Sequence, residues 1–287
     1  MLDGAYTERS TTRRRFSMKT IVITGSTRGL GRALSEALLE RGCSVAVSGR
    51  TAEVVTRVHQ ELSSIHGADR VIGVTCDVRR PEQLQGLWGQ ALSAFGRVDI
   101  WVNNAGISNA PAPLWELTEA QAREVIETNL LGAIYGSQVA IRGMLLQGYG
   151  ALYNLEGMGS DGRTHEGMTP YGTSKYALHY LMKALAKELD GTGVIVASLR
   201  PGMIVTDLVT GPYRGRPEEW ERVKPIFNII ADRVETAAPW MADQVLGNRR
   251  NGAVLKRLST ATLAARFLMA PFRRRDLFAG IDPKTQV

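Results

Sequence analysis

Short apolar runs alternate with longer amphipathic stretches along the chain from Lys19 to Leu199. Lys19–Thr24 is a continuous apolar run of strand length, and a helical pattern follows from about Leu30 to Arg41. Ser44–Ser48 predicts a strand, Thr51–Ile65 a helix and Arg70–Thr75 a third strand. Pro81 opens the next helix, at a position where a missing N–H breaks no helical bond, and the pattern runs to Phe95. Val98–Val102 is the fourth strand, and one long helix is predicted over about Ala120–Leu146. Ala151–Leu155 and Val194–Leu199 are further strands, separated by a helix over Tyr171–Leu189. Brief apolar strands between helices of this length predict parallel βαβ units with both sheet faces covered. The fold class is therefore α/β: a Rossmann-type, doubly wound parallel sheet with helices on both faces. In such a sheet, ligands bind at the carboxyl ends of the strands.

After Pro201 the alternation stops. Residues 203–233 contain Pro212, Pro217, Trp220, Pro225 and Phe227, a composition that predicts a helical lid following the sixth strand. The expected organisation is a disordered basic tail at 1–17, a catalytic domain at 18–250 and a basic C-terminal extension at 251–287. The formal charge of +7 sits at the ends, with a net +7 from Leu246 onward, +2 in the first eighteen residues and about −2 between them. A basic balance confined to the termini does not predict nucleic-acid binding by the body of the chain. It leaves room for peripheral contact of the basic C-terminus, Arg273-Arg274-Arg275 included, with an anionic membrane surface. No apolar run reaches the roughly 20 residues of a membrane-crossing helix. Cys43 and Cys76 have no metal-ligand spacing and read as buried thiols of a cytoplasmic protein; no metal site is expected.

The turn after the first strand reads Gly25-Ser26-Thr27-Arg28-Gly29-Leu30-Gly31 and opens a helix. Glycines there let the backbone approach a pyrophosphate, and the helix N-terminus offers free N–H groups. The second strand ends in Ser48-Gly49-Arg50, with no acid to accept from a ribose 2′-hydroxyl. Arg28 and Arg50 would bracket a 2′-phosphate, so NADP(H) is the preferred cofactor and NAD(H) the second choice. Asp77, followed by Val78, stands where a carboxylate accepts from an adenine amino group. Tyr171 and Lys175 lie four residues apart at the start of a helix and share one face. An ammonium one turn away, helped by the positive nicotinamide ring, would stabilise a phenolate and lower the tyrosine's pKa, which suits proton transfer to a nascent alkoxide.

Together these segments resemble the short-chain dehydrogenase/reductase family over roughly residues 18–210. The resemblance rests on the Thr24–Gly31 turn, Asp77, Asn103-Asn104-Ala105-Gly106, Asn129, Tyr171 with Lys175, and Pro201-Gly202 leading to Ile204 and Thr206. It implies a catalytic set of Tyr171, Lys175 and Asn129, with Asn129 holding a water in a relay to Lys175. It also implies that Asn104 flanks the cofactor, that Lys175 bonds the nicotinamide ribose, and that Ile204 and Thr206 orient the carboxamide. Family members usually assemble as homodimers or homotetramers.

One position departs from the family. A serine that hydrogen-bonds the substrate carbonyl is usual about 13 or 14 residues before the tyrosine, where Gly157 and Met158 stand here. Ser160, or Glu156 if protonated, are the two candidates for the missing donor. The Asn154–Arg163 run, with Glu156-Gly157 in place of serines, resembles the chlorophyll b reductase branch, as do residues 201–208 and 227–230. That resemblance implies NADPH-dependent reduction of an aldehyde or ketone, the 7-formyl group of chlorophyll(ide) b or a similar flat, hydrophobic substrate. The alternatives are another short-chain alcohol dehydrogenase acting on a small hydrophobic carbonyl or alcohol, and a non-catalytic NADP-binding sensor or scaffold. Trp115, Met158, Tyr213, Trp220 and Phe227 are expected to line an apolar mouth.

Overall fold

The computed structural model describes residues 19–272 and 275–279; the expected tail at 1–17, and Arg273 and Arg274, lie outside the described residues. Ile21 and Ile23 enter the core on one face of a sheet and Val22 the core on the other, all three fully buried. That double burial is why the first strand reads as a continuous apolar run. The strands are β1 (Thr20–Ile23), β2 (Ser44–Gly49), β3 (Val71–Thr75), β4 (Ile100–Asn103), β5 (Gly150–Leu155), β6 (Val194–Arg200) and β7 (Ala253–Lys256). All pair in parallel, in the order β3-β2-β1-β4-β5-β6-β7. Chain order reverses between β1 and β4, which places the ligand crevice above their carboxyl ends.

The first three helices are α1 (Gly29–Glu40), α2 (Ala52–His66) and α3 (Pro81–Phe95). They are followed by α4 (Glu119–Ile126), α5 (Gly132–Gln147), α6 (Thr169–Glu188) and the short α7 (Asp207–Thr210). The last three are α8 (Pro217–Ile230), α9 (Val234–Gly247) and α10 (Thr260–Met269). Leu34 and Leu38 of α1, Val58 and Leu62 of α2, and Met241 and Val245 of α9 cover one face of the sheet. Leu84 and Trp88 of α3, Val139 and Met144 of α5, and Met182 of α6 cover the other.

The structure differs from the expected elements in two places that matter. The long helix predicted over Ala120–Leu146 is interrupted between α4 and α5 by a π-turn at Glu127–Leu131. The wider turn swings Asn129 inward: its amide donates to Ile107 O at 2.9 Å and its Oδ1 accepts from Ile107 N at 2.8 Å. A π-turn inserted at a functional position is a common device for re-aiming one side chain.

The second difference is β7. Residues expected in an extension beyond the catalytic domain instead pair with the open edge of β6. Only Ala253, Val254 and Leu255 are apolar there, too short a run to declare itself without the neighbouring edge. Among the described residues that follow, Arg257, Arg266 and Arg275 turn inward to Asp232. What α10 and its end expose is apolar, namely Phe267, Leu268, Met269 and Phe272.

Candidate active site

A cleft of about 2210 Å³ opens at the carboxyl ends of β1 and β4. Single small-molecule sites run to roughly 1,000 Å³, so this cleft has room for a dinucleotide and a second molecule. Gly25 and Gly29 take left-handed φ values of 62° and 55°, which bends the turn flat across the end of the sheet. A Cβ at Gly25 would lie 2.8 Å from Ala105 Cα, and one at Gly31 would lie 2.4 Å from Asn104 Nδ2. Asn104 therefore reaches through, donating to Thr24 O and Gly25 O at 2.9 Å each. No side chain caps the start of α1, so its first N–H groups are left to face an anion. These features fit a pyrophosphate.

Of the residues expected to hold the cofactor, all line this cleft except Ser26 and Asp77. Ser26 is fully buried and latches the ends of β1 and β2; its hydroxyl donates to Ile23 O at 2.7 Å and accepts from Ser48 N at 2.9 Å. The Asp77 carboxylate turns to Arg79, 2.6 Å away, and hydrogen bonds from that guanidinium hold it below the usual carboxylate range. The two expected phosphate-bracketing arginines also part company. Arg28 pairs with Asp207 at 3.0 Å, whereas Arg50 lies 3.7 Å from Glu124. Arg50 alone stands at the end of β2.

Tyr171 and Lys175 are brought together as the spacing on α6 required, both buried, with Lys175 Nζ 5.7 Å from the Tyr171 ring centre. Lys175 donates to Leu155 O at 3.0 Å, which ties α6 to the end of β5. A Cβ at Gly106 would sit 3.3 Å from Asn129 Oδ1 and 3.7 Å from Lys175 Nζ. The glycine thus leaves these two polar groups facing one small space, with no direct bond between them. Burial pushes the Tyr171 phenol up to about 12. Burial also lowers Lys175 to about 8, against an opposing pull from the Glu156 carboxylate. A phenol held protonated is a proton donor, the form needed for reduction.

Both candidates for the missing donor are engaged elsewhere. Ser160 is 2% exposed, and its hydroxyl donates to Gly157 O at 2.7 Å, closing a turn. The Glu156 side chain is fully buried and accepts from Arg200 Nε, from Ser198 Oγ at 2.6 Å and from His179 Nδ1 at 2.9 Å. Its carboxyl oxygens are thus taken up by Arg200, Ser198 and His179. Sequence reasoning missed Arg200, Ser198 and His179. His179 lies four residues beyond Lys175 on the same helical face, and Arg200 is a charge ending an otherwise apolar strand. Both signals were present but point nowhere until β5, β6 and α6 are assembled. Of the expected apolar lining, Trp115, Met158, Tyr213 and Phe227 reach the cleft. Trp220 instead packs in the lid's own core, 5.0 Å from Phe278.

Residues 19–215 match the family model for short chain dehydrogenases. The chain belongs to the short-chain dehydrogenase/reductase family. It is accordingly an oxidoreductase of the kind that binds NAD(P)(H). Among its relatives, the chlorophyll(ide) b reductase NOL of Oryza sativa subsp. japonica is 35% identical over 231 residues, 78% of this chain and 66% of that one. The probable chlorophyll(ide) b reductase NYC1 of Arabidopsis thaliana is 30% identical over 276 residues, 91% of this chain and 54% of that one. This chain thus spans between about half and two thirds of the length of those relatives. A short-chain type dehydrogenase/reductase from Mycobacterium marinum superposes with a TM-score of 0.72 at 28% identity, covering 83% of this chain and 93% of its own.

Proposed function

We propose that this short-chain reductase uses NADPH to reduce a carbonyl on a flat, apolar substrate, with the 7-formyl group of chlorophyll(ide) b as the specific case. The observation that carries the reading is the Glu156-Gly157 pair where a serine is usual, since it coincides with relatives named as chlorophyll(ide) b reductases. Trp115, Met158, Tyr213 and Phe227, lining the same cleft as Tyr171, support an apolar, planar substrate. NADPH, when bound, supplies the hydride. Tyr171, protonated by virtue of its burial, gives its phenolic proton to the carbonyl oxygen as negative charge develops there. The Lys175 ammonium stabilises the phenolate left behind. Purified protein with NADPH is expected to convert chlorophyllide b to its hydroxymethyl product, followed by absorbance. Turnover of pyrene-1-carbaldehyde without turnover of chlorophyllide b would reject the specific substrate, and turnover of neither would reject the carbonyl reading.

The preference for NADPH rests on Arg50, since no acid ends β2. A charge-assisted bond to a phosphate contributes about 1.5–3 kcal/mol, or roughly ten- to a hundredfold in affinity. Arg50→Asp is therefore expected to weaken NADPH binding by at least about tenfold while changing NADH binding little. Equal losses for the two cofactors, measured by fluorescence titration, would remove this basis for selectivity.

A further inference from the structure

We propose that the main-chain N–H groups of the Gly157–Gly159 turn take the substrate's carbonyl oxygen beside Tyr171, held in place by a buried Glu156–Arg200 clamp. The inference rests on the carbonyl-reductase reading and not on the identity of the substrate. Its starting point is that Gly157, one of the two positions where the usual serine is expected, brings no side chain to the phenol. A Cβ at Gly157 would lie 2.5 Å from the Tyr171 hydroxyl, so the phenol packs directly on the turn's backbone. Gly159, at φ 90°, is pinned in the same way: a Cβ there would lie 2.8 Å from Gly172 Cα, one residue past the tyrosine. The turn therefore meets the start of α6 at two points, and at both it presents only main chain.

Its N–H groups are available. On either side the backbone donors are used, Glu156 N to Leu199 O at 2.9 Å and Ser160 N to Gly157 O at 3.1 Å. Between them, the N–H groups of Gly157, Met158 and Gly159 have no partner among the described residues, and all three residues line the cleft. Backbone donors without a protein partner, on residues that line a cleft, are free to serve an acceptor that enters it. The developing alkoxide is such an acceptor. Hydride adds to the carbonyl carbon, the oxygen takes the Tyr171 proton, and the N–H groups donate to that oxygen throughout without transferring a proton. Tyr171 recovers its proton from solvent.

A donor array works only if it is rigid before the charge develops. Here the clamp supplies rigidity: Arg200 bonds Glu156 at the root of the turn and also donates to Ser160 O, at 3.2 Å, at its far end. Ser198 and His179 both meet the other Glu156 oxygen, Oε1. Ser160 closes the turn from inside through Gly157 O. Glu156 and Arg200 are on this account positioning residues, one step removed from the reacting atoms.

The test replaces residues 157, 158 and 159 in turn by the matching α-hydroxy acid, which removes one N–H while keeping the side chain. With NADPH and pyrene-1-carbaldehyde, at least one ester variant is expected to lose about 10- to 100-fold in kcat, with the Kd for NADPH within about twofold of the parent. Arg200→Lys, which keeps the charge but loses the fork, is expected to lose about tenfold in kcat with the same cofactor affinity. Gly157→Ser is expected to lose activity as Gly157→Ala does, because the added Cβ displaces the phenol. All three esters within twofold of the parent, or a serine variant faster than the parent, would overturn the proposal. A parent protein inert towards the aldehyde is a different result and would overturn the carbonyl reading as well.

Discussion

Replacing Tyr171 with phenylalanine is expected to lower kcat by about three orders of magnitude and to leave the affinity for NADPH almost unchanged. The substitution removes a single hydroxyl, the donor packed against Gly157, and leaves the ring that lies beside Lys175. General acid catalysis is worth about 10²- to 10⁴-fold, and a factor of 10³ corresponds to about 4 kcal/mol of barrier. Ser160 is no reserve donor, since its hydroxyl is committed to Gly157 O. The pH profile of the unmutated enzyme provides a second reading of the same site. Burial holds the Tyr171 phenol up at about 12, so it stays protonated across the working range. Lys175, lowered by burial to about 8, loses its charge as pH rises through that value. The kcat/KM for aldehyde reduction should accordingly be level below about pH 8 and fall above it. Tyr171→Phe should flatten that fall, because neutralising Lys175 no longer affects a phenolate. Residual activity in Tyr171→Phe within tenfold of the parent would mean that the proton comes from another group.

How far the site could be read from sequence follows from how each contact is made. The phosphate turn, Asn104 and the Tyr171–Lys175 pair are set by spacing along one strand, one turn or one helix, and the structure brings them to one cleft. Ser26 and Asp77 occupy the expected segments, yet their side chains are claimed by Ile23, Ser48 and Arg79, and no motif records such local competition. The ammonium beside Tyr171 is visible in sequence, whereas the depth of burial that pushes its phenol up is not. Long-range pairings were the least legible. Glu156 meets Arg200 across 44 positions and Asp232 meets Arg275 across 43, and neither residue carries a local signature of its partner. The π-turn belongs to this class as well, since it is the distant Ile107 backbone that draws Asn129 out of helical register.

The second large effect lies outside the chemistry. Asp232, with a side chain only 7% exposed, is the shared anion of Arg257, Arg266 and Arg275. Those arginines follow β7, whereas Asp232 directly follows the lid helix α8, so the carboxylate joins the end of the lid to the C-terminal segment. Two of them also hold the lid's last carbonyls: Arg266 donates to Ile230 O at 3.1 Å, and Arg275 to Ile229 O at 3.1 Å and Ala231 O at 3.0 Å. Asp232→Asn leaves three guanidinium groups crowded together with no counter-charge. Removing one partner of a buried ion pair costs about 3–5 kcal/mol; here partial solvent access to the arginines favours the lower end, or roughly 5 °C in Tm for a chain of this size. Since α8 carries Phe227 into the cleft, KM for the aldehyde should rise while the Kd for NADPH holds. The pH dependence has a definite sign. Burial alone would push the Asp232 carboxyl up, but Arg257 and Arg266 outweigh it and hold the group below its ordinary 3.8. Its stabilisation is therefore complete above that ordinary value and lost as pH falls through the depressed one. Melting curves of parent and Asp232→Asn should differ fully at neutral pH and converge only in strong acid. A constant gap down to that range would mean that the carboxylate's charge is not what holds the lid.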